Sequence, residues 1–347
     1  MLLKTLTEFN AVSGDEDNLR NFLVNEIKPY ADDIKVDITG NIIAFKKGKK
    51  SDGSVNVVAA HMDEVGFIIT KIEENGFLRF EEVGGISDAI LLTQKVEIGD
   101  KRVSGILGVK AVHLQSKDER QNLIKMKNMY IDIGANSKEE AEKKVKIGDY
   151  VAFASRYTEF GNDKIKAKAL DDRVGVYAIL NLIKEEYESD IYFCFTTQEE
   201  TGLRGAKILS HRINADTCLI LEGTNAADVE GVKEHERVTC LGDGPALSVM
   251  DRASISNIKY NDFIKKQADE NKLKYQLKKT LNGGNDAGSM AYGANGCMTA
   301  VLSLPTRYLH SPISVAQKSD IDDLIKLSEC VLKNIHKLCP VRKEVIK

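Results

Sequence analysis

Ile191-Tyr-Phe-Cys-Phe195-Thr196-Thr197-Gln198-Glu199-Glu200 is an apolar, aromatic run that ends in two adjacent carboxylates and is followed by Gly202-Leu-Arg-Gly205. A short apolar run bounded by turn residues reads as an interior strand, where an unpaired charge costs several kcal/mol. Adjacent strand side chains point to opposite faces, so Glu199 and Glu200 can share one site only if the strand has ended before them. One carboxylate can then hold a metal while its neighbour works as a base. Taken alone, the pair could equally be two solvated acids on a surface turn.

Working outward, the 347 residues allow one large domain with an insertion, or two domains. Apolar residues make up 42% and prolines number only five, which argues against disorder. A formal charge of -3 gives no field that would favour nucleic acid or membrane partners, and small-molecule or peptide chemistry fits better. No run approaches membrane-spanning length and Met1 to Glu8 is too poor in apolar residues for a secretory signal, so a soluble cytoplasmic protein is expected. The six cysteines (194, 218, 240, 297, 330, 339) stand singly, without Cys-x-x-Cys spacing, and read as buried free thiols.

Ser13-Gly-Asp-Glu16 opens an amphipathic helix through Leu19, Phe22, Leu23 and Ile27 that ends near Lys28-Pro29. Strands are expected at 42–45 and 55–60, the second running straight into His61-Met-Asp-Glu64. From 67 to 167 short strands with glycine punctuation, and one helix capped by Ser137 with Glu140, read as an inserted small β-rich domain. After Ala169 helix and strand alternate: 174–187, 191–197, 205–211, 218–221, 299–304 and a last helix over 320–335. This alternation predicts an α/β fold, a mixed sheet sandwiched by helices, built from 1–66 and 168–347.

In open α/β sheets functional groups gather beyond the carboxyl ends of strands. His61 and Asp63 follow one strand, Glu199 and Glu200 a second, Glu222 a third and His310 a fourth, while Asp171 and Asp172 stand where an apolar helix begins. Two imidazoles with several carboxylates match the ligand set of zinc or a similar divalent ion, with cobalt and manganese also accepted. There are enough groups for two ions, with Asp171 as the bridge. Metal binding lowers the pKa of a bound water, Glu199 is placed to take its proton, and amide hydrolysis without a covalent intermediate follows. Asp63, two residues beyond His61, is placed to accept the second imidazole N–H and fix its tautomer. Each residue has a plainer use: Asp171-Asp172 as a helix cap, Glu222 as a loop acid, His310 in local hydrogen bonding. It is their convergence that favours metal. Gly283-Gly-Asn-Asp-Ala-Gly288 lacks the Lys-Ser/Thr of a phosphate loop and reads as a tight turn shaping the pocket.

Together Ala60-His-Met-Asp-Glu-Val-Gly-Phe67, Ala169-Leu-Asp-Asp-Arg-Val-Gly175, Thr197-Gln-Glu-Glu-Thr-Gly-Leu-Arg-Gly-Ala206, Gly283-Gly-Asn-Asp-Ala-Gly288 and Pro305-Thr-Arg-Tyr-Leu-His-Ser-Pro312 resemble the metallopeptidases of family forty-two, the glutamyl, deblocking and tetrahedral aminopeptidases. The resemblance implies a zinc-peptidase-like fold in which His61, Asp171 and Glu222 hold one ion, Asp171, Glu200 and His310 hold the other, and Glu199 is the general base. It further implies that 67–167 is a dimerisation domain, that dimers assemble into a dodecamer, and that substrates are peptides with a free N-terminus. Glu222-Gly-Thr224 departs from the usual Asp-Val-Thr, which changes the reach of that ligand. Gly296-Cys-Met298 stands where relatives commonly carry Gly-Val-Pro. Two rival readings are a metal-binding scaffold with little turnover, and an endoglucanase-type glycosidase. The glycosidase would need two separated carboxyls and no metal.

Overall fold

The computed structural model describes residues 2–50, 53–281 and 283–338. Its centre is an eight-stranded mixed sheet in the order Asp33–Val36, Ile42–Lys46, Ile191–Thr196, Asn56–His61, Thr217–Asn225, Met298–Thr306, Ala246–Leu247, Gln276–Leu277. The four middle strands are mutually parallel. Parallel strands are covered on both faces, and every residue of Asn56–His61 is accordingly buried.

The two-residue period of a strand divides its side chains between two cores. Val58, Ala60, Leu219, Leu221, Ala300 and Leu302 join one cluster with Leu170–Leu182 and Lys318–Asn334. Val57, Ala59, Cys218, Ile220 and Val301 join the other, beneath Arg204–Arg212 and Asp286–Met290. The helix Ile258–Asn271, and a short N-terminal one, Leu2–Glu8, were not expected from the sequence. The longer one carries Tyr260, Ile264 and Ala268 inward, but polar and charged residues fill most of its turns and dilute the period.

Six strands, Gly66–Ile72, Leu78–Val83, Lys95–Ile98, Val103–Gly108, Tyr130–Asp132 and Tyr150–Phe153, close into a barrel with its own apolar core around Phe67, Leu78, Ile131 and Phe153. Thr158–Phe160 and Lys164–Ala167 lie outside it and pair with Ser314–Gln317 in a three-stranded sheet. The helix Lys138–Glu142 starts at Ser137, whose hydroxyl accepts the Glu140 N–H.

No helix among the described residues is long and apolar enough to cross a membrane. Cys194 and Cys218 are buried free thiols, whereas Cys240, Cys297 and Cys330 are only half-buried; Cys339 lies outside the described residues.

Candidate metal centre

The parallel register sets the site's floor. Thr196 pairs with His61, so the strand carrying Glu199 and Glu200 ends level with the strand carrying His61 and Asp63. The strand Thr217–Asn225 runs further than expected, so Glu222 is a strand residue, paired with Ser303, rather than the first residue beyond a strand end. Gly223 follows it for a steric reason: a Cβ there would lie 2.6 Å from Asp171 Oδ1. Asp171 and Asp172 are joined by a cis peptide and depart from helical angles at the start of Leu170–Leu182.

The seven residues singled out in the sequence converge. Asp171 faces both histidines, with Oδ1 3.4 Å from His61 Nε2 and Oδ2 3.4 Å from His310 Nε2. Glu222 Oε1 lies 3.1 Å from His61 Nε2, and Glu200 Oε1 lies 3.3 Å from His310 Nε2. His61 Nδ1 turns away, 3.1 Å from the Asp63 backbone carbonyl and 3.4 Å from its carboxylate. His310 Nδ1 lies 3.0 Å from the Gly85 carbonyl. Both imidazoles therefore have one nitrogen fixed by an acceptor and the other aimed at the carboxylates.

Burial pushes Glu200 up to about 7 and Glu222 up to about 8, against the pull of His310 and His61 respectively. Glu199 is likewise held well above the usual carboxylate range by burial. Asp171 goes the other way, because its hydrogen bonds to His310 and His61 overcome the cost of burial. Burial disfavours charge on His310, yet Asp171 and Glu200 raise it to about 9. This is the signature of too many acids for two imidazoles, a deficit that cations remove.

The donor set fits divalent ions. Ligand atoms of His61, Asp171 and Glu200 lie within 4.8 Å of one another, as do those of His61, Asp172 and Glu222. Glu222 Oε2 is buried with no hydrogen-bond partner among the described residues, an orphan that a cation would satisfy.

Several supporting residues were not assigned to the metal site from the sequence. Asp172 accepts the His61 N–H at 3.3 Å and the Gly175 N–H at 3.0 Å, so the capping use holds for it while its neighbour turns inward. Ser13 donates to Asp63 at 2.5 Å, and Glu16 accepts the Gln198 N–H at 3.0 Å. Asp286, read only as part of a tight turn, accepts the Thr196 hydroxyl at 2.5 Å under the Glu199 turn. Its position in a glycine-rich run was the only available signal.

Beside these groups opens a cleft of about 490 Å³ lined by Gly85, Thr224, Val238, Lys278, Asn285 and Leu309 together with Asp171, Glu199, Glu200, Glu222 and His310.

The family model for M42 glutamyl aminopeptidase matches residues 40–327. A putative aminopeptidase of Acetivibrio thermocellus is 41% identical over 328 residues, 94% of this chain and 96% of that protein. Among solved structures, an aminopeptidase of the archaeon Desulfurococcus kamchatkensis superposes with a TM-score of 0.94 at 34% identity, covering 100% of this chain and 98% of that one. A Pyrococcus horikoshii TET1 peptidase, described as able to assemble into a tetrahedron or a large octahedral shell, superposes with a TM-score of 0.84 at 33% identity over 95% and 98% of the two chains. With a match that runs through most of its length and relatives aligned nearly end to end, the chain is a peptidase and belongs to the M42 aminopeptidase family, whose members are metal-dependent.

Proposed function

We propose that this chain removes N-terminal residues from peptides with a dinuclear metal centre. In this reading His61, Asp171 and Glu222 hold one ion and Asp171, Glu200 and His310 the other, as the two-faced placement of Asp171 between the histidines supports. That placement is the observation that carries the reading. Two divalent ions there, zinc by preference and cobalt or manganese as alternatives, would supply an acidified water and polarise the scissile carbonyl.

The chain's own residues do the rest. Glu199 is buried, burial holds its carboxyl well above the usual carboxylate range, and it lines the cleft beside the ligands. It takes the proton of the attacking water and delivers it to the leaving amine. Asp63 aligns His61 and the Glu199–Glu200 backbone. The substrate's free amine lies against the acidic rim, and its first side chain enters the cleft.

Besides the candidate ligand His310, the cationic side chain lining that cleft is Lys278. Among the described residues it makes no ion pair, so its charge is available to an acidic first side chain and opposes a basic one. The inserted region 67–167, the barrel and the two strands that follow it, serves as a dimerisation domain on the catalytic frame of 1–66 and 168–347, and dimers build a dodecamer.

The reading is tested by elemental analysis of the purified protein together with cleavage of an aminoacyl-substrate panel before and after chelation. Two ions per chain and activity that chelation abolishes and metal restores support it. Full metal occupancy with no turnover on any substrate refutes it.

A further inference from the structure

The barrel meets the metal centre at the turn Gly84-Gly85, which follows the strand Leu78–Val83, and Phe153 of the barrel lines a small pocket with Asp171, Glu200 and His310. Gly85 offers its carbonyl to His310 Nδ1 at 3.0 Å. Gly84 sits at φ +83, and a Cβ there would lie 2.8 Å from Val65 Cγ1 and 3.3 Å from Glu200 Cβ. One two-residue turn of the barrel thus bonds to His310 and leaves no room for a side chain beside Glu200, the two residues placed on the same side of Asp171.

The turn is clamped on both sides. Val83 pairs with Gly66, just beyond Val65 and close to His61 and Asp63 in sequence, so the ladder fixes the turn relative to the sheet's active end. On the other side the Ser87 side chain accepts the Ala89 N–H, and Asp88 accepts the Met126 N–H at 2.7 Å, tying the exit of the turn back to the barrel. His310 needs such an anchor. It is half-buried in a turn with a left-handed backbone, φ 54, and among the described residues the Gly85 carbonyl is the acceptor at its Nδ1. A backbone carbonyl accepting Nδ1–H fixes the tautomer that leaves Nε2 free to ligate.

We infer that Gly84 and Gly85 are positioning residues for the His310 and Glu200 side of the centre, which makes the barrel a working part of the metal site. Repacking of the barrel is then felt selectively at one of two ion positions. This inference rests on the metal reading above and predicts an asymmetry that reading does not contain.

Full-length protein, stripped of metal by chelation, is titrated with zinc by isothermal calorimetry. The unaltered chain should take up two ions. Gly84→Ala should retain one ion with unchanged affinity and weaken the other about 10–100-fold, the usual range for loss of such outer support. The weakened ion should be the one His310→Ala also loses, so that the double variant adds nothing. Gly134→Ala is the control: it places a Cβ at φ +68 in the same region with no atom within 4 Å, so it brings similar backbone strain and should leave both binding events intact.

If Gly84→Ala fails to fold, Gly84→Asn adds the same Cβ while tolerating the left-handed backbone better, and the same asymmetry is expected. Equal loss of both ions, or full retention of both, overturns the inference while leaving the dinuclear reading in place. A parent chain that binds no zinc overturns both.

Discussion

Asp63 Oδ1 accepts the backbone N–H of Glu199 at 3.0 Å. Its other oxygen accepts the Glu200 N–H at 3.1 Å, and Ser13 completes the shell. One carboxylate therefore orients the ring beside it and also fixes the turn that presents Glu199, the proposed base, and Glu200, a proposed ligand. Asp63→Ala should weaken metal binding about 10–100-fold and lower kcat as well, because Glu199 loses its anchor. Asp63→Asn keeps one acceptor and should fall between. Metal titration and steady-state kinetics on the three proteins check the order; an Asp63→Ala enzyme with unchanged kcat at saturating metal would refute the second role.

Glu199 makes no side-chain hydrogen bond among those described, and its amide is held from behind, so truncating its charge disturbs little else. Glu199→Gln should lower kcat by about 10²–10⁴ with metal content unchanged by elemental analysis. Coincident loss of metal would show that Glu199 is a ligand rather than the base.

Much of this centre could be read before any coordinates because its residues sit at boundaries that sequence marks clearly. Apolar runs give way to His61, to Thr197 and to Pro305, and a parallel sheet brings those ends together. What escaped was whatever depends on packing across distant segments. Ser13 and Glu16 looked like an ordinary helix start, yet they face Asp63 and Gln198. Lys168 and Arg173 carried no pattern that would place a charge in the interior, and nothing in Asp171-Asp172 told which of the two would hold the backbone and which would face the site. The Gly85 carbonyl is invisible in principle, since a backbone acceptor leaves no residue-type signal.

The metal-free protein should become less stable as pH rises from 6 to 8. Folded Glu200 and Glu222 titrate near 7 and 8, above the ordinary 4.5, so across this window the native state holds more protons than the unfolded one and stability falls with pH. His310, raised to about 9 from 6.5, acts in the same direction, while Asp171, lowered below 3.8, contributes only in acid. Bound zinc replaces those protons and should flatten the curve. Calorimetric melting should show Tm falling by roughly 1–2 °C for each kcal/mol lost without metal, and little change with it; a metal-free Tm that rises with pH would contradict the assignment of these charges.

Lys278 should set the preference for the first residue. The unaltered enzyme should cleave glutamyl and aspartyl substrates in preference to lysyl ones. Lys278→Glu should lower kcat/KM for glutamyl substrates roughly tenfold and raise it for lysyl substrates, the scale expected of one charge contact in a part-wet cleft. Parallel losses on every substrate would mean that Lys278 shapes the cleft without reading charge.

Behind the centre, Lys168 Nζ lies 2.6 and 2.8 Å from the two Glu64 oxygens and 2.6 Å from the Phe9 carbonyl. Arg173 reaches the Met62 carbonyl at 2.9 Å, the Leu6 carbonyl at 2.6 Å and Glu64 at 3.4 Å. All three charges are almost fully buried, and burial pushes Lys168 down to about 8 despite Glu64. One acid thus neutralises two cations that tie the N-terminal segment to the strand bearing His61. Removing the acid leaves two uncompensated buried cations, whereas removing Lys168 leaves Glu64 and Arg173 facing one another. Glu64→Gln should therefore cost about 3–5 kcal/mol, the range for breaking a buried pair, and Lys168→Met distinctly less. Urea unfolding of both variants measures the difference, and a Lys168→Met protein less stable than Glu64→Gln would show that the carbonyl contacts, not charge balance, hold this layer together.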